Sequence, residues 1–397
     1  MTEKKNKPIW INFLHCYQPA NADDNRIKEA TQESYLRIIR GLEEHSHLKF
    51  TMNISGCLVL RWQELGMDDI IKRIKILIDK KQIEITGSCA YHIFLPLMPE
   101  KENIKQIKEN ELILKKAFGV TKKDLKGFFL PEMAYNSKIA KTVKKLGYQW
   151  TILDEIAKKD ASINNAKNIF YQDVDSDLQV IFRSRKYSNC YVPENFNNLD
   201  NLLNQNIITA TDAELYGLRH QDPTAKFEKI LKKVQAKNII CKTISEVLRE
   251  QKNSKKIQKI KLISCNWEST KKELQNKLPF AQWYNPKNKI QMALWDFVKF
   301  TYKTVEANQK DANYKWSRWH LNRGMASCIF WWASEKDFSH IFGPFAWNPD
   351  EIERGLHELI RAIRSLHSLE NKQAKIKAEI KYAEIKKMIW VKHWKSH

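Results

Sequence analysis

Along the first two-thirds of the 397-residue chain, short apolar runs alternate with stretches whose apolar residues return every three or four positions. A short run bounded by turn residues reads as a buried strand, and the 3.6-residue return reads as a helix packed beside it. The runs at 9–15, 48–53, 83–87, 127–130, 149–153, 178–183, 207–211, 239–242 and 261–265 predict strands. In NSKIAKTVKKLGYQW, Ile139, Val143 and Leu146 recur at i, i+4 and i+7. Asn136 or Ser137 supplies the N-cap, Gly147 the left-handed terminator, and the next strand follows at once. This is a βαβ unit, and its repetition predicts an α/β fold with a parallel sheet, open or closed. After about Trp267 the strand pattern stops. Segments 288–308, 315–334, 350–367 and 377–394 each carry an apolar helical face. The prediction is a first domain over 1–267 and a C-terminal all-helical domain over 268–397.

Composition changes this picture little. The net charge of +22 is mostly lysine scattered along nearly every helix. There is no arginine-rich arm and no nucleic-acid motif, so the charge reads as a solvated surface and no nucleic-acid partner is expected. The last two helices are basic and amphipathic, which would suit a membrane or a partner, but a bundle helix with a wet lysine face explains them. No apolar run approaches the ~18 residues of a membrane span, and MTEKKNKPIW lacks a signal-peptide core. A cytoplasmic protein with no membrane partner is expected. Seven cysteines, an odd number with no CxxC pair, read as buried free thiols rather than a disulfide framework or a zinc site. No metal and no cofactor are called for, and the oligomeric state is left open.

Candidate chemistry is sought at the C-terminal ends of the strands, where parallel α/β folds gather reactive side chains. Those ends supply His15 and Gln18, His92, Glu132, Asp154 and Glu155, Arg183 and Arg185, Asp212 and Glu214, and Trp267 with Glu268. Glu132 and Asp212 stand out, because each directly follows an apolar strand and a buried carboxylate is costly unless paired or used. Two facing carboxylates are the minimum set for glycoside hydrolysis, one ionised as nucleophile and one protonated as general acid. Thirteen tryptophans are many for this length. Trp267, Trp331 and Trp332 are candidate flat platforms for sugar rings.

The order of four motifs, INFLHCYQP, QIEITGSCAYHIFLPL, GFFLPE and TDAELYG, resembles glycoside hydrolase family 57 over roughly 200 residues. MASCIFWWAS looks like the helical region of shorter members. The resemblance implies an incomplete (β/α)7 barrel followed by the helical domain. It implies metal-free, retaining chemistry on α-linked glucans, by hydrolysis or transglycosylation of starch, glycogen or maltooligosaccharides. By the same resemblance Glu132 is the nucleophile and Asp212 the acid/base. His15, Gln18 and His92 would line the subsite of the reacting sugar, with Asp154 and Glu214 as further candidate contacts. The chain departs from the usual pattern at Tyr17, where a second histidine is common, at Ala213, where glycine follows the aspartate, and at Lys81, where glycine precedes QIEI. Two other classes compete: a metal-dependent polysaccharide deacetylase or mannosidase-like barrel, and a non-catalytic glucan-binding protein. Loss of activity to a chelator would mark the first, and glycogen binding without turnover the second.

Overall fold

The computed structural model describes residues 8–159, 169–189, 191–195, 206–254, 257–334 and 346–395. The chain divides into two compact units. The first comprises 1–18, 22–90 and 95–267, and the second 19–21, 91–94 and 268–397.

Among the described residues of the first unit lie ten strands: β1 (Ile9–Cys16), β2 (Phe50–Ile54), β3 (Ile83–Ile85), β4 (Gly127–Phe128), β5 (Trp150–Asp154), β6 (Phe170–Asp173), β7 (Gln179–Arg183), β8 (Ile207–Asp212), β9 (Ile240–Cys241) and β10 (Gln258–Ile260). One ladder runs β3-β2-β1-β8, all parallel, with β9 on the start of β1. The other runs β10-β6-β7-β5-β4, parallel except where β6 meets β7. Backbone hydrogen bonds join the two ladders at both edges. Gly87 N–H donates to Gly127 O at 2.9 Å, and Phe129 N–H to Gly87 O at 2.8 Å. On the other side Ser184 N–H donates to Ile208 O at 3.0 Å. Gly127 is required for close packing there, since a Cβ on it would lie 2.1 Å from the Trp150 ring.

β2, β5 and β7 are buried at every position, so both of their faces are covered, as in parallel sheets flanked by helices. Ile11, Phe13, Phe129, Trp150, Ile152, Ile181, Ile208 and Ala210 from four strands and one strand exit share one core. Each large side chain buried there contributes roughly 1.5–3 kcal/mol. The βαβ unit forms as predicted: helix Ser137–Lys145 begins where Asn136 Oδ1 accepts Ile139 N–H at 2.8 Å, and Gly147 has φ 89°.

Two strand assignments need correction. Residues 261–265 are not a strand; they make isolated antiparallel bridges, Leu262 with Lys158 and Cys265 with Tyr135. The ladder lies just before them, in β10, which pairs with β6. β7 forms as predicted, but β6 and its pairing with β7 escaped the pattern because the turn between them, DVDSD, has no Gly or Pro. Asp173 closes it by accepting the Ser176 hydroxyl at 2.5 Å and the Tyr135 hydroxyl at 2.8 Å, and Asp177 takes φ 57°.

The second unit is mainly helical, with helices Lys289–Ala307, Tyr314–Gly324, Cys328–Trp332, Pro349–Arg364 and Lys372–Lys395. The segment predicted as one helix over 315–334 is two. Ser327 N–H donates to His92 O at 2.9 Å and Ala326 bridges Ile93, which takes the backbone out of helical pairing between them. No helix among the described residues is long and apolar enough to cross a membrane.

Candidate active site

Glu132 follows β4 in a single tight turn, Pro131–Met133. Pro131 has no N–H for a ladder, so the strand ends there. Glu132 and Met133 then take φ 61° and 48°, the left-handed region that costs non-glycine residues on the order of 1 kcal/mol or more each. The turn is closed by Met133 N–H to Leu130 O at 2.7 Å and Ala134 N–H to Pro131 O at 3.0 Å. Glu132 is 8% exposed, and its carbonyl accepts Trp267 N–H at 3.2 Å.

Trp267 connects this turn to the end of β1. Its ring centroid lies 6.2 Å from His15 and 6.1 Å from Phe129, and His15 meets Phe129 at 4.6 Å. His15 is buried, and Asn53, its register partner on β2, holds its Nδ1 at 2.9 Å. With the Asn53 carboxamide oxygen as acceptor, the ring proton sits on Nδ1. Tyr17 stacks on His15 at 5.7 Å with planes 10° apart. On the other side of β1, the register partner of His15 is Asp212. Glu132, Trp267, His15 and Asp212 are thus joined contact by contact at the strand ends of one unit.

Asp212 ends β8 half-buried, and its Oδ2 accepts Arg219 Nη1 at 2.7 Å. Two residues on, Glu214 is buried and receives Tyr17 N–H at 3.2 Å, Gln18 Nε2 at 3.3 Å and the Tyr35 hydroxyl. Burial raises the Glu214 carboxyl above its ordinary range; Arg219 pulls it down and Asp212 pushes it up. The same burial, with Glu214 alongside, pushes the Tyr35 hydroxyl well up. The turn is completed by Gly217 at φ 148°, where a Cβ would lie 2.0 Å from Glu33 O. Only glycine fits, which accounts for the last letter of TDAELYG.

Asp154 ends β5 fully buried, with each oxygen on an arginine: Oδ2 on Arg183 Nε at 2.8 Å and Oδ1 on Arg185 Nε at 2.5 Å. Oδ1 also accepts Ile156 N–H at 2.9 Å. The two guanidinium groups reach the Trp267 carbonyl, at 3.4 and 2.9 Å, and Arg183 lies 5.4 Å from the Trp267 ring. Asp154 therefore braces the tryptophan through two arginines.

The sequence expectations thus separate into two groups. His15, Gln18, Glu132, Asp154, Asp212, Glu214 and Trp267 all fall in the first unit, linked by the contacts above. His92, Trp331 and Trp332 belong to the second unit. His92 is buried there with φ 53°, Trp332 is buried, and Trp331 is half-buried. Pattern reading missed the supporting partners Asn53, Tyr35 and Arg219. Arg219 carries a faint signal, seven residues beyond Asp212; the other two reach the site across the fold and carry none.

Residues 5–263 match the family described as glycosyl hydrolase family 57. An alpha-amylase of Pyrococcus horikoshii is 28% identical over 177 residues, 43% of this chain and 27% of that protein. A 4-alpha-glucanotransferase of Thermococcus litoralis is 28% identical over 148 residues, 36% of this chain and 22% of that protein. The matches thus span about a quarter of the length of these curated relatives. Among solved structures, the GH57-type branching enzyme of Pyrococcus horikoshii superposes with a TM-score of 0.72 at 14% identity, covering 95% of this chain and 94% of that one. The alpha-amylase AmyC of Thermotoga maritima gives 0.64 at 13% identity, covering 96% and 99%. At such identities the likeness speaks to the fold.

Proposed function

The chain belongs to glycosyl hydrolase family 57, and from that premise we propose that it is a retaining enzyme acting on α-linked glucans. In this reading Glu132 attacks the anomeric carbon, the glycosidic C–O bond breaks, and a covalent glycosyl-enzyme forms. Asp212 gives its proton to the departing oxygen. It then takes a proton from water, or from an acceptor sugar hydroxyl, as that oxygen displaces Glu132. Water yields hydrolysis and a sugar acceptor yields transfer.

The observation that carries the proposal is the left-handed turn at Glu132, tied through Trp267 and His15 to the strand end that bears Asp212. A non-glycine residue held in that conformation beside a buried strand exit is strain kept for a purpose. Arg219 holds one oxygen of Asp212; the other has no partner among the described residues and suits the glycosidic oxygen. His15, oriented by Asn53, and Gln18, oriented by Glu214, would position ring hydroxyls, while Trp267 offers an apolar face. Asp154 acts by bracing Trp267. His92, Trp331 and Trp332 stay candidate glucan contacts on the strength of the motif and the aromatic content.

The reading includes an incomplete (β/α)7 barrel over 1–267 and a helical domain over 268–397. It is supported by the parallel order of β1, β2, β3, β4, β5, β7 and β8 with hydrogen bonds linking both pairs of ladder edges. A cytoplasmic setting fits the six free thiols among the described residues. The test is turnover of maltoheptaose. E132Q and D212N should each lose at least about a thousandfold in kcat, since each removes one member of the pair that makes and breaks the bond. Wild-type rates in either would reject the assignment. The wild-type products separate the activities: shorter sugars mean hydrolysis, and a ladder both up and down means glucan transfer. New α-1,6 branch points on amylose would mean branching.

A further inference from the structure

We propose that Trp316 and Trp319 form a non-catalytic binding site for curled α-1,4-glucan chains on the helical unit; this rests on the glucan reading above. Helix Tyr314–Gly324 buries one stripe, Ser317, Arg318, Leu321, Asn322 and Gly324. Ser317 Oγ anchors that stripe on Ala362 O at 2.6 Å. Positions 316, 319, 320 and 323 form a different stripe, at i, i+3, i+4 and i+7. Trp316 on this stripe is 58% exposed. Its ring meets Trp319 edge to face, with centroids 6.4 Å apart and planes at 77°.

Trp319 is held in a polar frame. The Arg323 guanidinium lies 4.2 Å from its ring centroid, and His320 meets it at 4.7 Å and 79°. Glu358 fixes both of these neighbours, His320 Nδ1 at 2.6 Å and Arg323 Nε at 2.9 Å. The result is a fixed ring with an open ring beside it, edged by polar donors. Beyond the Trp319 ring, the terminal nitrogens of Arg323 make no hydrogen bond among the described residues and are donors that a hydroxyl-bearing ligand could use.

Core packing does not explain Trp316, most of whose surface lies open. A protein or lipid partner would call for a contiguous apolar patch of several hundred Å². Two indoles beside Arg323 and His320 fall short of that. They match a pyranose, which offers an apolar C–H face to a ring and hydroxyls to donors at its rim. The 77° corner selects the glucan further. Coplanar rings suit a flat β-1,4 chain, whereas α-1,4 linkages turn successive sugars and present their faces at an angle.

The experiment is affinity electrophoresis of the full chain through glycogen-containing gels, with β-cyclodextrin and cellohexaose as competitors. W316A and W319A should each bind glycogen about tenfold more weakly, and L369A, at another exposed apolar position, should run as wild type. W316K, which suits a solvent-facing helix position, repeats the test without touching packing. β-Cyclodextrin should release the wild type and cellohexaose should not. Glycogen retention of W316A and W316K equal to wild type overturns the site, as does equal competition by cellohexaose. Turnover of maltoheptaose keeps the two readings apart. An active enzyme with tryptophan-independent retention loses only this site. An inactive chain with tryptophan-dependent retention loses only the catalytic reading.

Discussion

Replacing Asp154 by Asn distinguishes a brace from a sugar contact. The carboxylate is fully buried, and its first partner, Arg183, has a side chain 6% exposed. Removing one member of a buried ion pair typically costs about 3–5 kcal/mol, because the other charge is left uncompensated. Arg183 keeps neutral acceptors on Ala210 O at 3.0 Å and Asn189 Oδ1 at 3.2 Å, which argues for the lower end. Arg185 is 27% exposed, so solvent screens it and its share is small. The expected loss is about 3 kcal/mol. For a unit of this size that lowers the melting temperature by about 6–12 °C. A double-mutant cycle with R183M should return most of that figure as coupling. Because both arginines hold the Trp267 carbonyl, KM for maltoheptaose should rise more than kcat falls. A D154N protein that melts within 2 °C of wild type while losing substrate affinity would refute the brace and restore a direct sugar contact.

Two further changes probe the loop after β8. Burial raises the Glu214 carboxyl, so the folded state holds its proton more tightly than the unfolded chain does. Stability from that group is therefore full below the ordinary carboxyl value of 4.5 and declines as pH rises through the raised one. Relative to E214Q, the wild type should lose ground in urea melts as pH rises above 4.5, and parallel pH profiles would contradict this. Gly217→Ala places a Cβ 2.0 Å from a backbone oxygen at φ 148°, so a loss on the order of 3 kcal/mol is expected. A melting temperature within 2 °C of wild type would show that the turn can relax.

What the sequence made legible depends on how local the signal was. The strand-to-helix exit at 136–149 was readable because cap, apolar stripe and terminator all act within a dozen residues. Strand ends were readable because buried runs stop at the first residue that must be polar, as at His15, Glu132, Asp154 and Asp212. The first strand of the hairpin at 170–183 was lost because aspartate and serine closed its turn where glycine was sought. The break at 325–327 was lost for a different reason: it depends on backbone bonds to 92–93, more than two hundred residues away. Asn53 and Tyr35 were invisible as site partners on the same ground. Register fixes the first against His15, and the second reaches Glu214 from 179 positions away. No periodicity encodes such meetings.

Charge shows the same division more sharply. The net charge of +22 suggested a cationic surface without an address. The structure sets three arginines apart from the other cations. The ion pairs of lysine are mostly exposed or half-exposed, such as Lys261 with Asp175, Lys386 with Glu353 and Lys381 with Asp296. Such pairs are worth little each, so they add little to the stability of the fold. Arginine instead ends β7 and enters the loop after β8, where Arg183, Arg185 and Arg219 hold Asp154 and Asp212. A planar fork that stays charged at any working pH can fix a carboxylate and a tryptophan carbonyl at once, which a lysine ammonium on a flexible stem does poorly. Substituting these three arginines by lysine would leave the net charge unchanged. It would still loosen the site, because geometry and not charge is what they supply.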